Sequence, residues 1–108
     1  MWELEYLPEV ADDFETLDGS QKILVRKAIN KTLINPLPAH EGGYGKPPGN
    51  KGNRNLTGLM KINLKASGLR IVYSLIRKDE KIIVVVIGVR DDGDVYDIAG
   101  ERAKKYGL

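Results

Sequence analysis

Leu59-Met60-Lys61-Ile62-Asn63-Leu64-Lys65, Leu69-Arg70-Ile71-Val72-Tyr73-Ser74-Leu75-Ile76-Arg77 and Lys81-Ile82-Ile83-Val84-Val85-Val86-Ile87-Gly88-Val89-Arg90 follow one another with only Ala66-Ser67-Gly68 and Lys78-Asp79-Glu80 between them. The first run alternates Met60, Ile62 and Leu64 with Lys61, Asn63 and Lys65, the period of two that gives a strand one wet, basic face. Ser67-Gly68 and Lys78-Asp79-Glu80 have turn chemistry, so the three runs read as three sequential antiparallel strands. Ile82 to Ile87 is apolar on both faces, which places that strand at the centre of the sheet.

Outward from this block, Asp91-Asp92-Gly93 ends the last strand, and Asp94 is placed to cap a final helix from Val95 to about Lys105. Upstream, residues 35–58 hold four of the five prolines and six glycines, and read as a long loop without regular structure of its own. Before it, Leu24, Val25, Ala28, Ile29, Thr32 and Leu33 form the apolar face of a helix capped by Ser20 and stopped by Pro36 and Pro38. Val10, Phe14 and Leu17 give a shorter stripe that begins after Pro8 and ends at Asp18-Gly19, so the two helices make a hairpin. Trp2, Leu4 and Tyr6 alternate as a first strand. The order is β-α-α-β-β-β-α. This is an α+β chain in which a helical hairpin packs on one face of a mainly antiparallel four-stranded sheet, leaving the other face to water or a ligand. At 108 residues it reads as a single domain, 1–108.

The absence of cysteine excludes disulfides, thiolate nucleophiles and zinc sites built on sulfur. The N-terminal residues are acidic and alternating rather than basic and apolar, and Ile82 to Ile87 is far short of the roughly 20 residues of a membrane span. The expected setting is cytoplasmic, with no membrane partner. Net charge is only +2, but its distribution is polarised. Residues 1–18 contain seven acids and no base, whereas residues 43–78 contain eight bases and no acid. A sheet built from the second segment is locally positive.

His40 is the sole histidine and has only Glu41 beside it, so no metal centre is expected. No serine sits in a nucleophile elbow, and Gly45-Lys46 lacks the spacing of a phosphate loop. No cofactor is expected either. What remains is a set of cations and one phenol: Lys61 and Lys65, with Asn63 on the same strand face, Arg70 in the next strand, Arg90 at the end of the last, and Tyr96 beyond. Cations gathered around a phosphate stabilise the charge of a pentacoordinate transition state, and RNA supplies its own nucleophile, the 2′-OH. Lys46, Lys51, Arg54, Asn63 and Arg77 are read as RNA-binding on the same basic surface. Competing structural roles exist for several of these residues. Lys61 and Lys65 also suit solvent-facing strand positions, Tyr96 suits a helix anchor, and Tyr73 reads as core. Arg70 is harder to assign to structure alone, because it interrupts a strand that otherwise wants burial.

Glu5-Tyr6-Leu7-Pro8-Glu9, Asn35-Pro36, Leu56-Thr57-Gly58-Leu59-Met60-Lys61-Ile62, Lys65-Ala66-Ser67-Gly68-Leu69-Arg70-Ile71-Val72-Tyr73 and Asp94-Val95-Tyr96 together resemble the RelE/ParE family of bacterial toxins, over essentially the whole chain. The pattern is most similar to the RelE branch. The resemblance implies a RelE-like fold and the toxin of a type II toxin–antitoxin system, a metal-independent endoribonuclease that cuts messenger RNA on the ribosome by 2′-OH attack and so inhibits translation. It implies a cognate antitoxin, the ribosome and mRNA as partners, with operator DNA reached only through the antitoxin complex. It also implies catalytic roles for Lys61, Lys65, Arg70, Arg90 and Tyr96. Asn63 stands where RelE-like sequences often carry a second lysine. Two other readings belong to the same fold: a ParE-like inhibitor of DNA gyrase, and a degenerate member that only binds its antitoxin.

Overall fold

The computed structural model describes residues 2–48, 56–89 and 94–108. The elements are β1 (Glu3–Tyr6), α1 (Val10–Glu15), α2 (Gly19–Ile34), β2 (Leu59–Leu64), β3 (Leu69–Ile76), β4 (Lys81–Val89) and α3 (Asp94–Tyr106), the order expected from the sequence. The four strands form one sheet in the order β1-β4-β3-β2. β2, β3 and β4 pair antiparallel through short turns, while β1 lies parallel to β4, as the intervening hairpin of helices allows. β4 is thus internal, and Ile82, Val84, Val85, Val86 and Ile87 are all buried on it.

A bulge fixes which side chains face which layer. Val72 pairs with Val86 and Tyr73 with Val84, so Val85 is the extra residue on β4. Leu69, Ile71 and Tyr73 share a face with Ile87, and Ile87 lines a groove with Val25 and Ile29 of α2, which identifies that face as the one beneath the hairpin. Arg70, Val72 and Ser74 point the other way. That opposite face is not left open as the sequence suggested: α3 packs on it, and Val95 lies so close to Gly88, the partner of Arg70, that a Cβ on Gly88 would collide with it.

Local chemistry explains the helix starts. Asp18, not Ser20, caps α2: its carboxylate accepts from the Gln21 N–H at 2.8 Å, and the Gln21 side chain accepts from the Asp18 N–H at 2.9 Å. Ser20 only donates to the Asp18 carboxylate. Val25, Ile29 and Thr32 are buried, but Leu24, expected on the inner face, is 42% exposed because it lies at the flank of that stripe. The described part of the long loop is also better ordered than its composition suggests. A 3-10 turn spans Ala39–Glu41, Pro38 bridges to Gly45, and Lys46 bridges to Lys61 of β2. The buried Tyr73 hydroxyl donates to the Pro36 carbonyl at 2.6 Å, and burial raises that phenol's pKa. These contacts dock the loop on the sheet.

β4 outruns β1, whose pairing ends at Tyr6 opposite Val84. Beyond that point β4 exposes backbone groups on a buried edge, and side chains complete them. The Asp13 carboxylate of α1 accepts from the Ile87 N–H at 3.1 Å, and Arg102 of α3 donates to the Val85 carbonyl at 3.0 Å. The two side chains pair with each other at 2.6 and 3.1 Å and are only 15% and 17% exposed. A second tie lies near the C-terminus of α3: Lys105 and the Tyr106 hydroxyl donate to Glu9 at 3.0 and 2.8 Å.

Arg102→Ala leaves the Asp13 charge largely buried without its counter-ion, and is expected to cost about 3 kcal/mol in urea unfolding. A loss below about 1 kcal/mol contradicts the clasp. Glu9 gives a pH signature. Its own backbone N–H, then Lys105 and Tyr106, hold its carboxyl at about 2 against the usual 4.5. A depressed folded-state pKa contributes stability that is complete above the unfolded value and is lost as pH falls through the folded one. The melting temperature of the wild type relative to Glu9→Gln is therefore expected to stay constant above pH 4.5 and to converge as pH falls toward 2. A difference that persists unchanged to that pH rules the tie out.

Candidate functional site

The register of β2 against β3 sets Asn63 beside Arg70 and Lys61 beside Val72, on the face that carries α3. Across β3, Arg70 pairs with Gly88, whose missing side chain lets α3 come close. Tyr96, one residue after Val95, is consequently brought over Arg70. One guanidinium nitrogen of Arg70 donates to the Tyr96 hydroxyl at 3.0 Å and reaches Asn63 Oδ1 at 3.4 Å, and the guanidinium carbon lies 5.9 Å from the Tyr96 ring centre. Both acceptors are neutral. A half-buried arginine held this way keeps its full charge for an incoming anion, because among the described residues no carboxylate is paired with it.

The lysines are arranged around this point. Lys61 is half-buried on β2, and its backbone is fixed by reciprocal hydrogen bonds with Lys46, at 2.7 and 3.4 Å, while the Lys46 side chain is exposed. β2 ends at Leu64, so Lys65 falls in the turn rather than in the strand. It is exposed there and, with Asn63, Leu64, Gly68, Leu69 and Arg70, lines a concave groove of about 200 Å³. Lys46, Lys61, Lys65 and Arg70 thus lie at the β2 end of the sheet, where the described hydrogen bonds of the Arg70 side chain go only to neutral acceptors.

Not every residue named from the sequence joins this set. Arg77 lies beyond the opposite end of β3, where both of its terminal nitrogens engage the Glu41 carboxylate at 2.9 and 2.5 Å and hold the Glu41 pKa down. Its charge is already matched. Tyr96 is only 6% exposed, so in this structure it holds Arg70 rather than offering a ring face to a base. Lys51, Arg54 and Arg90 lie outside the described residues. His40 is exposed beside Glu41 at 3.6 Å, and among the described residues no group of three histidines, cysteines or acids gathers to hold a metal. Gly88 was not singled out in the sequence, although a lone glycine inside a Val-rich strand signals a close approach of another element.

No protein-family model matches the chain. Over 104 residues it is 28% identical to a RelE-like toxin protein of Escherichia coli, an overlap of 95% of this chain and 98% of that one. Its fold is similar to that of the E. coli toxin RelE in the free state, in a form with two arginines replaced by alanine, with a TM-score of 0.71 at 22% identity over 94% of this chain and 96% of that one. It is likewise similar to a chain of the intact E. coli RelBE toxin–antitoxin complex, with a TM-score of 0.65 at 20% identity over 85% and 100% of the two chains.

Proposed function

The chain is RelE-like in its fold and along nearly its whole sequence, and from that premise we propose that it is the toxin of a type II toxin–antitoxin system that cleaves messenger RNA on the ribosome. The observation that carries this reading is the unneutralised Arg70, held by Tyr96 and Asn63 at the head of a strip of lysines. Such a strip binds a phosphodiester and stabilises the negative charge that builds on it. The similarity to a chain of a toxin–antitoxin complex supports a cognate antitoxin as partner, and charge complementarity leads us to expect an acidic toxin-binding segment opposite the basic end of the sheet.

The chemistry needs no external nucleophile. The ribose 2′-oxygen attacks the adjacent phosphorus as its proton passes to a base, the role we give to Lys61 or Lys65. The bond to the 5′-oxygen breaks, that oxygen takes up a proton, and a 2′,3′-cyclic phosphate remains on the upstream fragment. Arg70 binds the non-bridging oxygens throughout, joined by Arg90. Tyr96 acts through Arg70 by fixing its guanidinium, and the exposed Lys46, with Lys51 and Arg54, extends the phosphate contacts along the strand. The reaction assigns no step to a metal ion.

Expression of the chain without an antitoxin is expected to halt protein synthesis before any DNA-damage response, measured by pulse incorporation of amino acids alongside a damage reporter. Arg70→Ala is expected to relieve the arrest by at least about 100-fold in the amount of protein needed, in keeping with loss of a charged transition-state contact. The same substitution removes the side-chain hydrogen bonds to Tyr96 and Asn63 but no backbone bond of the sheet, and is expected to leave the protein folded, at a cost of about 1–2 kcal/mol. A folded Arg70→Ala protein of undiminished toxicity removes this residue from the site, and DNA breakage that precedes the translation block transfers the chain to the gyrase-directed reading.

A further inference from the structure

Tyr44 is an exposed aromatic on a rigid mount. Its ring is 47% exposed, yet its backbone N–H donates to the Asn35 carbonyl at 2.9 Å, and its two neighbours are equally fixed: Gly43 N–H donates to Pro38 at 3.1 Å and Gly45 N–H to Leu37 at 3.0 Å. Neither glycine has room for a side chain, since a Cβ on Gly43 would overlap the Leu37 backbone and one on Gly45 would overlap the Tyr73 hydroxyl. Gly45 therefore presents its would-be side-chain direction to the core, while Tyr44 and Lys46 on either side of it are exposed. Lys31 of α2 places its ammonium 4.9 Å from the Tyr44 ring centre.

The same segment is welded to the candidate site. Lys46, two residues from Tyr44, exchanges two backbone hydrogen bonds with Lys61. Two residues span at most about 7 Å, so Tyr44 and Lys46 lie within about the separation of neighbouring nucleotides in a stretched single strand. An exposed ring with a cation on one face, and lysines leading from it to a phosphate-binding strip, has the components of a single-strand platform: π-stacking for a base and ammonium groups for the backbone. The pinned backbone lowers the ordering cost of such a contact.

We propose that Tyr44, with Lys31 and Lys46, forms a base-stacking subsite for single-stranded RNA, a nucleotide or two away from the phosphate held at Arg70. The assignment rests on the RNA-cleaving reading for its ligand class, while the Tyr44 ring itself lies outside the catalytic strip, which it adjoins through Lys46. It makes Tyr44 a determinant of RNA affinity and leaves the chemical step to the residues around Arg70.

The probe is a fluorescein-labelled, unstructured eight-nucleotide RNA titrated by anisotropy into the full chain at fixed low salt. Tyr44→Ala is expected to weaken Kd by about 5- to 150-fold, the cost of one lost stacked base. Tyr44→Phe and Tyr44→Trp are expected to retain affinity, and binding to Tyr44→Trp is expected to quench the new indole. Circular dichroism of each variant separates binding loss from unfolding. Tyr44→Ala that folds and binds as tightly as wild type overturns the subsite, as does a Tyr44→Phe as weak as Tyr44→Ala. The same holds if Tyr44→Ala weakens only antitoxin binding, which assigns the ring to a protein interface. The two readings fail separately. A wild type that binds the oligomer through Tyr44 yet leaves translation intact keeps the subsite and sinks the proposed function. Unchanged RNA affinity in a Tyr44→Ala chain that still blocks translation does the reverse.

Discussion

The backbone of β4 past the end of β1 is the constraint on which the arrangement rests. A central strand cannot leave N–H and C=O groups unpaired on a buried edge without a cost comparable to several ordinary contacts. Here Asp13 and Arg102 supply the partners for Ile87 and Val85 and neutralise one another, so a single ion pair joins α1, α3 and the sheet. In a buried pair desolvation offsets much of the attraction, and the chief consequence of this one is geometric. It sets where α3 crosses the sheet, and with Gly88 allowing close approach it carries Tyr96 over Arg70. Arg70, the group we propose for the phosphate, is thereby oriented by an element that is itself anchored on β4.

Charge is distributed along the same axis. The acidic N-terminal segment contributes Glu5, Glu9, Asp13 and Glu15, and the structure uses these acids locally, against Lys81, Lys105, Arg102 and Lys22. Among the described residues, Lys46, Lys61, Lys65 and Arg70 at the β2 end form no ion pair, while Arg77, at the opposite end of β3, is held by Glu41. The exposed pairs of Glu5, Glu9 and Glu15 contribute little each to stability, unlike the largely buried Asp13–Arg102 pair. Their effect is to confine the uncompensated positive field to one end of the sheet, where it attracts a polyanion and is screened by salt.

The strand order was legible because period-two alternation and two turn signals define β2, β3 and β4, and because Ile82 to Ile87 is too apolar for an edge. The hairpin pattern also brings Lys61, Asn63 and Arg70 toward one face of the sheet, and the observed register sets Asn63 beside Arg70 and Lys61 beside Val72. Other features depended on contacts that pattern cannot carry. Asp18 outcompeted Ser20 as the cap because Gln21 completed a capping box with it. The proline- and glycine-rich loop read as irregular, yet the buried Tyr73 hydroxyl and the tight packing of Gly43 and Gly45 dock its first part. Arg77 looked like part of the basic face until Glu41, 36 residues away in sequence, was seen to hold it. Tyr96 was legible as a residue of interest, but its burial and its bond to Arg70 required the placement of α3.

The central claim, that the ribose rather than water attacks the phosphate beside Arg70, is tested most directly on a ribosome-bound message carrying a single 2′-deoxy nucleotide immediately 5′ of the cut. Removing that hydroxyl deletes the nucleophile while leaving the phosphate, the bases and the ribosomal setting in place. Cleavage at that bond is expected to vanish, with the all-ribose message cut normally to give a 2′,3′-cyclic phosphate end. Cleavage of the deoxy message at the ordinary rate would show that water attacks, and would contradict the roles assigned to the lysines and Arg70.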